Sequence, residues 1–162
     1  MARDLGFKVS YATQIPGSRK HADLLIYNIS DDFMATAIDV SVRNPFVTGA
    51  KRVLPSGKRD VLYHLIRAEK SKGEKYSKAY ADLGRGFEAF VVSSTGMVSS
   101  GAKKIIACFA KRYALQYFVS VSVALRRITD FIVGSTLRQV AQNCLKAQAR
   151  IYELMTALPS DS

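Results

Sequence analysis

The stretch 21–42, HADLLIYNISDDFMATAIDVSV, decides the fold. Residues 21–29 are rich in branched apolar side chains and predict a strand. Ser30, Asp31 and Asp32 form a turn cluster, and residues 33–42 predict a second strand, so the pair reads as a hairpin. Asn44 and Pro45 stop the second strand. Side chains on a strand alternate in direction. Ala35, Ala37, Asp39 and Ser41 therefore share one face, while Met34, Thr36, Ile38, Val40 and Val42 share the other and read as core. Asp39 is expected on a face of small residues, beside a strand that carries Asp23 near its start.

Outward from the hairpin, residues 46–58 hold Gly49, Pro55 and Gly57 among basic side chains and predict a loop. Leu62, Leu65, Ile66, Tyr76 and Tyr80 recur at near-helical spacing and predict a helix from about 60 to 83, weakened by Gly73 and stopped by Gly84 and Gly86. Residues 87–93 predict a third strand, followed by a turn at Thr95 and Gly96. From 100 to 158 the pattern is helical, with Gly134 expected to divide it, although 117–125 is β-branched enough to be a strand. The stripe of Leu137, Val140, Ala141, Cys144, Leu145, Ile151, Leu154 and Leu158 predicts a helix packed on the sheet, with a docking face for a protein partner as the alternative. The expectation is one α/β domain over 1–162: a central mixed sheet, made of the hairpin plus a further strand, flanked by helices, with a helical C-terminal third at 111–158.

Charge narrows the function. Lys and Arg number 24 against 13 Asp and Glu, a net charge of +11 in 162 residues. Such an excess predicts attraction to polyanions and says nothing about fold. The basic residues are spread along the chain, which points to a positive surface on a folded domain. Arg19, Lys20, Arg43, Lys51, Arg52, Lys58 and Arg59 are the expected nucleic-acid-binding set. No run of 18 apolar residues is free of charge, so no membrane partner is expected. Cys108 and Cys144 lack metal-type spacing and read as buried free thiols, consistent with an intracellular, reducing compartment: nucleus, cytoplasm or organelle. With only His21 and His64 present, zinc sites and Ser-His-Asp catalysis are disfavoured. Gly84-Arg85-Gly86 follows a helix and suits no phosphate loop.

Two carboxylates converging from adjacent strands make a hard-oxygen site for Mg²⁺ or Mn²⁺. The segments RKHADLLI (19–26), AIDVSVRNPF (37–46), RAEKSKGEKY (67–76) and FEAFVVSSTGMVSSGAKKII (87–106) occur in an order that resembles the PD-(D/E)XK, or restriction-endonuclease-like, superfamily. More narrowly, the set is similar to the endonuclease-like domains of retroelement reverse-transcriptase polyproteins. The resemblance covers about 17–110 and implies a nuclease-like core there. It implies Asp23 and Asp39 as metal-binding, catalytic acids. The superfamily's lysine, two residues after the second acid, is replaced by Ser41. The cation is then expected from the helix, Lys75 first and Lys72 second. Glu69 is a weaker candidate for a third carboxylate, and the Ser99-Ser100-Gly101 turn a candidate phosphate contact. The resemblance implies metal-dependent phosphodiester hydrolysis. The departure at Ser41 keeps a second expectation open, a catalytically inactive RNA- or DNA-binding component of a ribonucleoprotein particle.

Overall fold

The computed structural model describes residues 1–15, 21–44 and 62–156, and for 12, 13 and 151–156 it describes the backbone alone. Four strands form one sheet in the order β1-β2-β3-β4. They are β1 (Val9–Gln14), β2 (His21–Tyr27), β3 (Ala35–Arg43) and β4 (Gly86–Ser93). The expected hairpin is present, with β2 and β3 antiparallel from Tyr27↔Ala35 to Leu24↔Ile38. β1 was not anticipated. It is a six-residue edge strand antiparallel to β2, too short to carry much pattern. β4 runs parallel to β3, Asp39 beside Ala89, because α1 (Tyr63–Ala81) intervenes and carries the chain back. The sheet is therefore mixed.

Helices cover both faces. α1 lies on one face, where Leu65 and Ala68 pack on Ala89 and Val91, and Tyr76 and Tyr80 pack on Ala22, Leu25, Ala35 and Ala37. α2 (Ser100–Tyr117) and the first turns of α3 (Val121–Thr156) cover the other, through Ile105, Ile106, Phe109, Ala124 and Ile128 against Ile26 and Ile38. This double cover explains why residues 35–39 are buried without alternation. The cover stops there. Val40 and Val42, expected in the core, are 42% and 49% exposed, and Met34 is also exposed. Val40 borders an open apolar pocket of about 400 Å³ that Leu24, Ile38, Phe90 and Phe131 also help to line, on the sheet face away from α1.

Three helical expectations change. Leu62 and Ile66 are exposed, and α1 buries Leu65, Ala68, Tyr76 and Tyr80 instead. Gly134 does not divide the last helix: α3 runs through it. The break falls earlier, where Phe118 adopts a left-handed backbone (φ 52°) after α2 and the Ser120 hydroxyl accepts the Val123 N–H to open α3. The stretch 117–125 is thus a helix junction and not a strand. The apolar stripe beyond 137 does not pack on the sheet, and from 137 to 150 every residue but the half-buried Val140 is exposed.

Gly101 is a close-packing requirement. A Cβ there would stand 2.7 Å from the Ala89 carbonyl oxygen and under 3 Å from the Glu69 and Glu88 carboxylates. Gly101→Ala is expected to destabilise the domain by about 1–3 kcal/mol, measured by urea unfolding. The two thiols differ. Cys108 is half-buried and its burial pushes the thiol pKa up, whereas Cys144 is exposed, contrary to the expectation of two buried thiols.

Candidate phosphodiester site on the opened hairpin

The β2–β3 ladder ends at Leu24↔Ile38. In the same register Asp23 falls opposite Asp39, and Ala22 opposite Val40. The Ala22–Val40 pair is replaced by two other bonds. The Ala22 N–H donates to Tyr80 Oη of α1 at 2.9 Å. The Val40 N–H donates to Asp23 Oδ2 at 2.6 Å. A hydroxyl and a carboxylate thus satisfy the two backbone donors that the parting strands leave; the buried Ala22 N–H would otherwise cost about 1–3 kcal/mol. Beyond this point β3 continues beside β4 alone among the described residues, as far as Arg43.

Asp39 lies on the α1 face between small neighbours, Ala37 along the strand and Ala89 across it. It is 7% exposed. Its Oδ2 receives a short, direct ion pair from Lys72 Nζ. Both side chains are largely covered, at 10% and 18% exposure. Lys72 reaches Asp39 because it sits on the inward stripe of α1. Ala68, Lys72, Tyr76 and Tyr80 follow one another at i, i+4, so the lysine occupies a core-facing position. A half-buried lysine over a buried carboxylate is stabilised by the pairing, and Asp39 supplies the anion.

Lys75, the first expectation, is placed differently. Its Nζ stands over the Tyr76 ring, 4.7 Å from the centroid. Its pKa is raised, chiefly by a hydrogen bond to Tyr76 and least by the charge of Asp39. Lys75 is therefore near the acids electrostatically, while Lys72 is in contact. The i+4 ladder from Ala68 to Tyr80 is the sequence signal that distinguishes the two, since Lys75 falls one step outside it.

Glu69 does not join the acids. Its carboxylate accepts from the Ser100 hydroxyl at 2.9 Å and from the Gly101 N–H, closing the N-terminus of α2 from α1. Ser99 caps the same helix by accepting the Ala102 N–H. The turn proposed for phosphate is thus occupied by the protein's own carboxylate. Glu88 pairs with Lys104 at 2.9 Å. Among the described residues no three His, Cys, Asp or Glu side chains gather as a metal cluster. Arg43 is exposed at the end of β3. Arg19, Lys20, Lys51, Arg52, Lys58 and Arg59 lie outside the described residues.

The site as described is two acids at the point where a hairpin opens, one exposed and one beneath a helix-borne lysine. Such a set can hold a hard cation through carboxylate oxygens and can present a cation to an anionic ligand. The chain matches no protein-family model and no curated protein. No helix among the described residues is long and apolar enough to cross a membrane.

Breaking the pair on one side should be costly. Lys72→Met leaves Asp39 buried without its partner and is expected to lower stability by about 3–5 kcal/mol. The double variant Lys72→Met/Asp39→Asn should recover much of that loss. Urea unfolding of the four-member cycle gives the coupling, and strict additivity would show that the pair is not formed in solution.

Proposed function

We propose that this chain is a nucleic-acid-binding domain with a restriction-endonuclease-like core that hydrolyses phosphodiester bonds with Mg²⁺ or Mn²⁺. The observation that carries the reading is the placing of Asp23 and Asp39 at facing register positions where the hairpin opens, with Lys72 on Asp39. The resemblance of the segments within 17–110 points the same way, and the +11 charge supplies attraction to a phosphate backbone.

The donor set suits a hard ion. Mg²⁺ is usually held by one or two carboxylates, with waters and substrate phosphate filling the remaining positions, so a third protein acid is not required. Each acid has one carboxylate oxygen engaged, Asp23 by Val40 and Asp39 by Lys72. Asp23 and Asp39 would hold the ion, whose chemistry there is to lower the pKa of a bound water and to neutralise phosphate charge.

The chain's own residues do the rest. Lys72 offsets the charge of Asp39, so a phosphate approaching the acids meets less repulsion. The Lys72 ammonium stabilises charge that develops on the phosphate. It thereby takes the part of the lysine that Ser41 does not supply. Lys75, exposed on the same helix, contacts the flanking backbone, and Arg43 extends that contact along β3. Tyr80 holds β2 away from β3 through Ala22 and keeps the acids at the opening.

One observation favours a second reading, a non-catalytic RNA- or DNA-binding domain. Asp39 is already neutralised by Lys72 and mostly covered, a stable arrangement without any ion.

Cleavage of plasmid DNA, single-stranded DNA and RNA by purified protein separates the readings. The nuclease reading expects nicking with Mg²⁺ or Mn²⁺ that is abolished by chelator and falls about a hundredfold or more in Asp39→Asn and in Lys72→Met. Binding should weaken linearly in log affinity against log salt. Salt-dependent binding without cleavage of any substrate would leave the second reading. A flat salt response would overturn both.

A further inference from the structure

The distal half of α3 is a bare helix with a patterned face. Its first turns bury Ala124 and Ile128 against the sheet and α2, with Ile132 partly covered. From 137 to 150 it is exposed, Val140 alone being half-buried. Along α3 apolar residues recur at steps of three and four: Leu137, Val140, Cys144 and Ala147 within this span and Ile151 and Leu154 after it, with Ala141 and Leu145 beside them. Leu158 continues the spacing outside the described residues. The period is 3.5, the repeat that keeps a seam facing a partner helix in a left-handed coiled coil. It is sustained for three heptads.

Among the described residues the domain's own core leaves most of this seam open, with Val140 half-buried. At 100° per residue, it lies roughly a third of a turn around the helix from the face of Ala124, Ile128 and Ile132. A helix standing in water draws most of its stability from packing an apolar face, and this one has such a face with no neighbour on it among the described residues.

We propose that a second copy of this chain covers it, the two α3 helices packing seam to seam as a coiled-coil dimer. With Leu137 and Val140 as the first inward pair, the flanking positions are Thr136, Ala141, Asn143, Gln148 and Arg150. Only Arg150 is charged. Two copies therefore meet without the like-charge repulsion that +11 would impose elsewhere, and no acidic or basic code on the flanks selects a different partner. Arg138 and Lys146 fall at outer positions. The seam is narrow, with the small residues Cys144 and Ala147 at its middle, which permits close helix approach. It carries no aromatic residue, unlike a helix that lies in a membrane surface. The inference is independent of the nuclease reading and holds for a catalytic or a non-catalytic domain.

The test is the solution mass of nucleic-acid-free full-length protein, by light scattering after gel filtration at micromolar concentration. Wild type should show twice the monomer mass. Val140→Asp/Ala147→Asp, which alters only the seam, should halve it and leave the denaturant unfolding of the sheet unchanged. In a Cys108→Ala background, a short bis-maleimide should join Cys144 to Cys144 and should fail to do so in the seam variant. A monomeric wild type would overturn the proposal, as would a dimer indifferent to the seam substitutions. So would a monomer whose α3 binds anionic phospholipid vesicles in a seam-dependent way, since the face would then serve a membrane surface.

Discussion

The structure turns on one largely covered ion pair, Lys72 with Asp39. A lysine on the inward stripe of a helix is tolerable only if an anion waits beneath it, and an aspartate in the middle of a doubly covered strand is tolerable only under a cation. Each residue makes the other's position affordable. The pair ties α1 to β3 at one register, because a shift of α1 by a single residue would turn Lys72 by about 100° and take the ammonium off Asp39. That constraint brings Tyr76 and Tyr80 over β2 and Glu69 to the start of α2.

From that register the rest of the α1 face follows. Tyr80 is buried, its pKa raised chiefly by that burial, and its hydroxyl accepts the Ala22 N–H. Phe87 packs beside Tyr80 in a stacked arrangement with centroids 5.9 Å apart. The hydroxyl substitutes for the carbonyl that β3 would otherwise offer, so the hairpin opens without an unpaired donor. Asp23 performs the matching substitution for Val40. The acids and the opening are one device: the carboxylate that could serve chemistry is also the group that stabilises the parted strands. Under the proposed reading, function and local stability would draw on the same side chain, and substitutions at Asp23 would act on both.

The two faces of the molecule divide the labour. The α1 face carries the acids and lysines. The opposite face carries the α2–α3 core and the apolar pocket beside Val40. α3 stays half-buried to Thr136, and its side chains are then exposed from 137 to 150 apart from Val140. A self-associating helix and a polyanion-attracting domain can then coexist, since the flanks of the seam are nearly uncharged while the basic residues lie elsewhere.

Much of this was legible in the residues themselves. The hairpin, its turn at Ser30–Asp32, the strand at 87–93 and the mixed sheet follow from alternation and turn chemistry, which are local properties. Asp23 and Asp39 were recognisable because acids inside strands are costly and invite an explanation. What the sequence left undecided depended on neighbours distant in the chain. The i+4 ladder from Ala68 to Tyr80 puts Lys72 on the inward face, but that it lands on Asp39 depends on where α1 settles on the sheet. Glu69 closes α2 because α1 and α2 flank β4. Val40 and Val42 are exposed because the helical cover ends at Asp39, a fact of layer geometry that strand alternation cannot express. The heptad seam was written in the chain from the start, but only the packing of α3 revealed that its own domain does not use it.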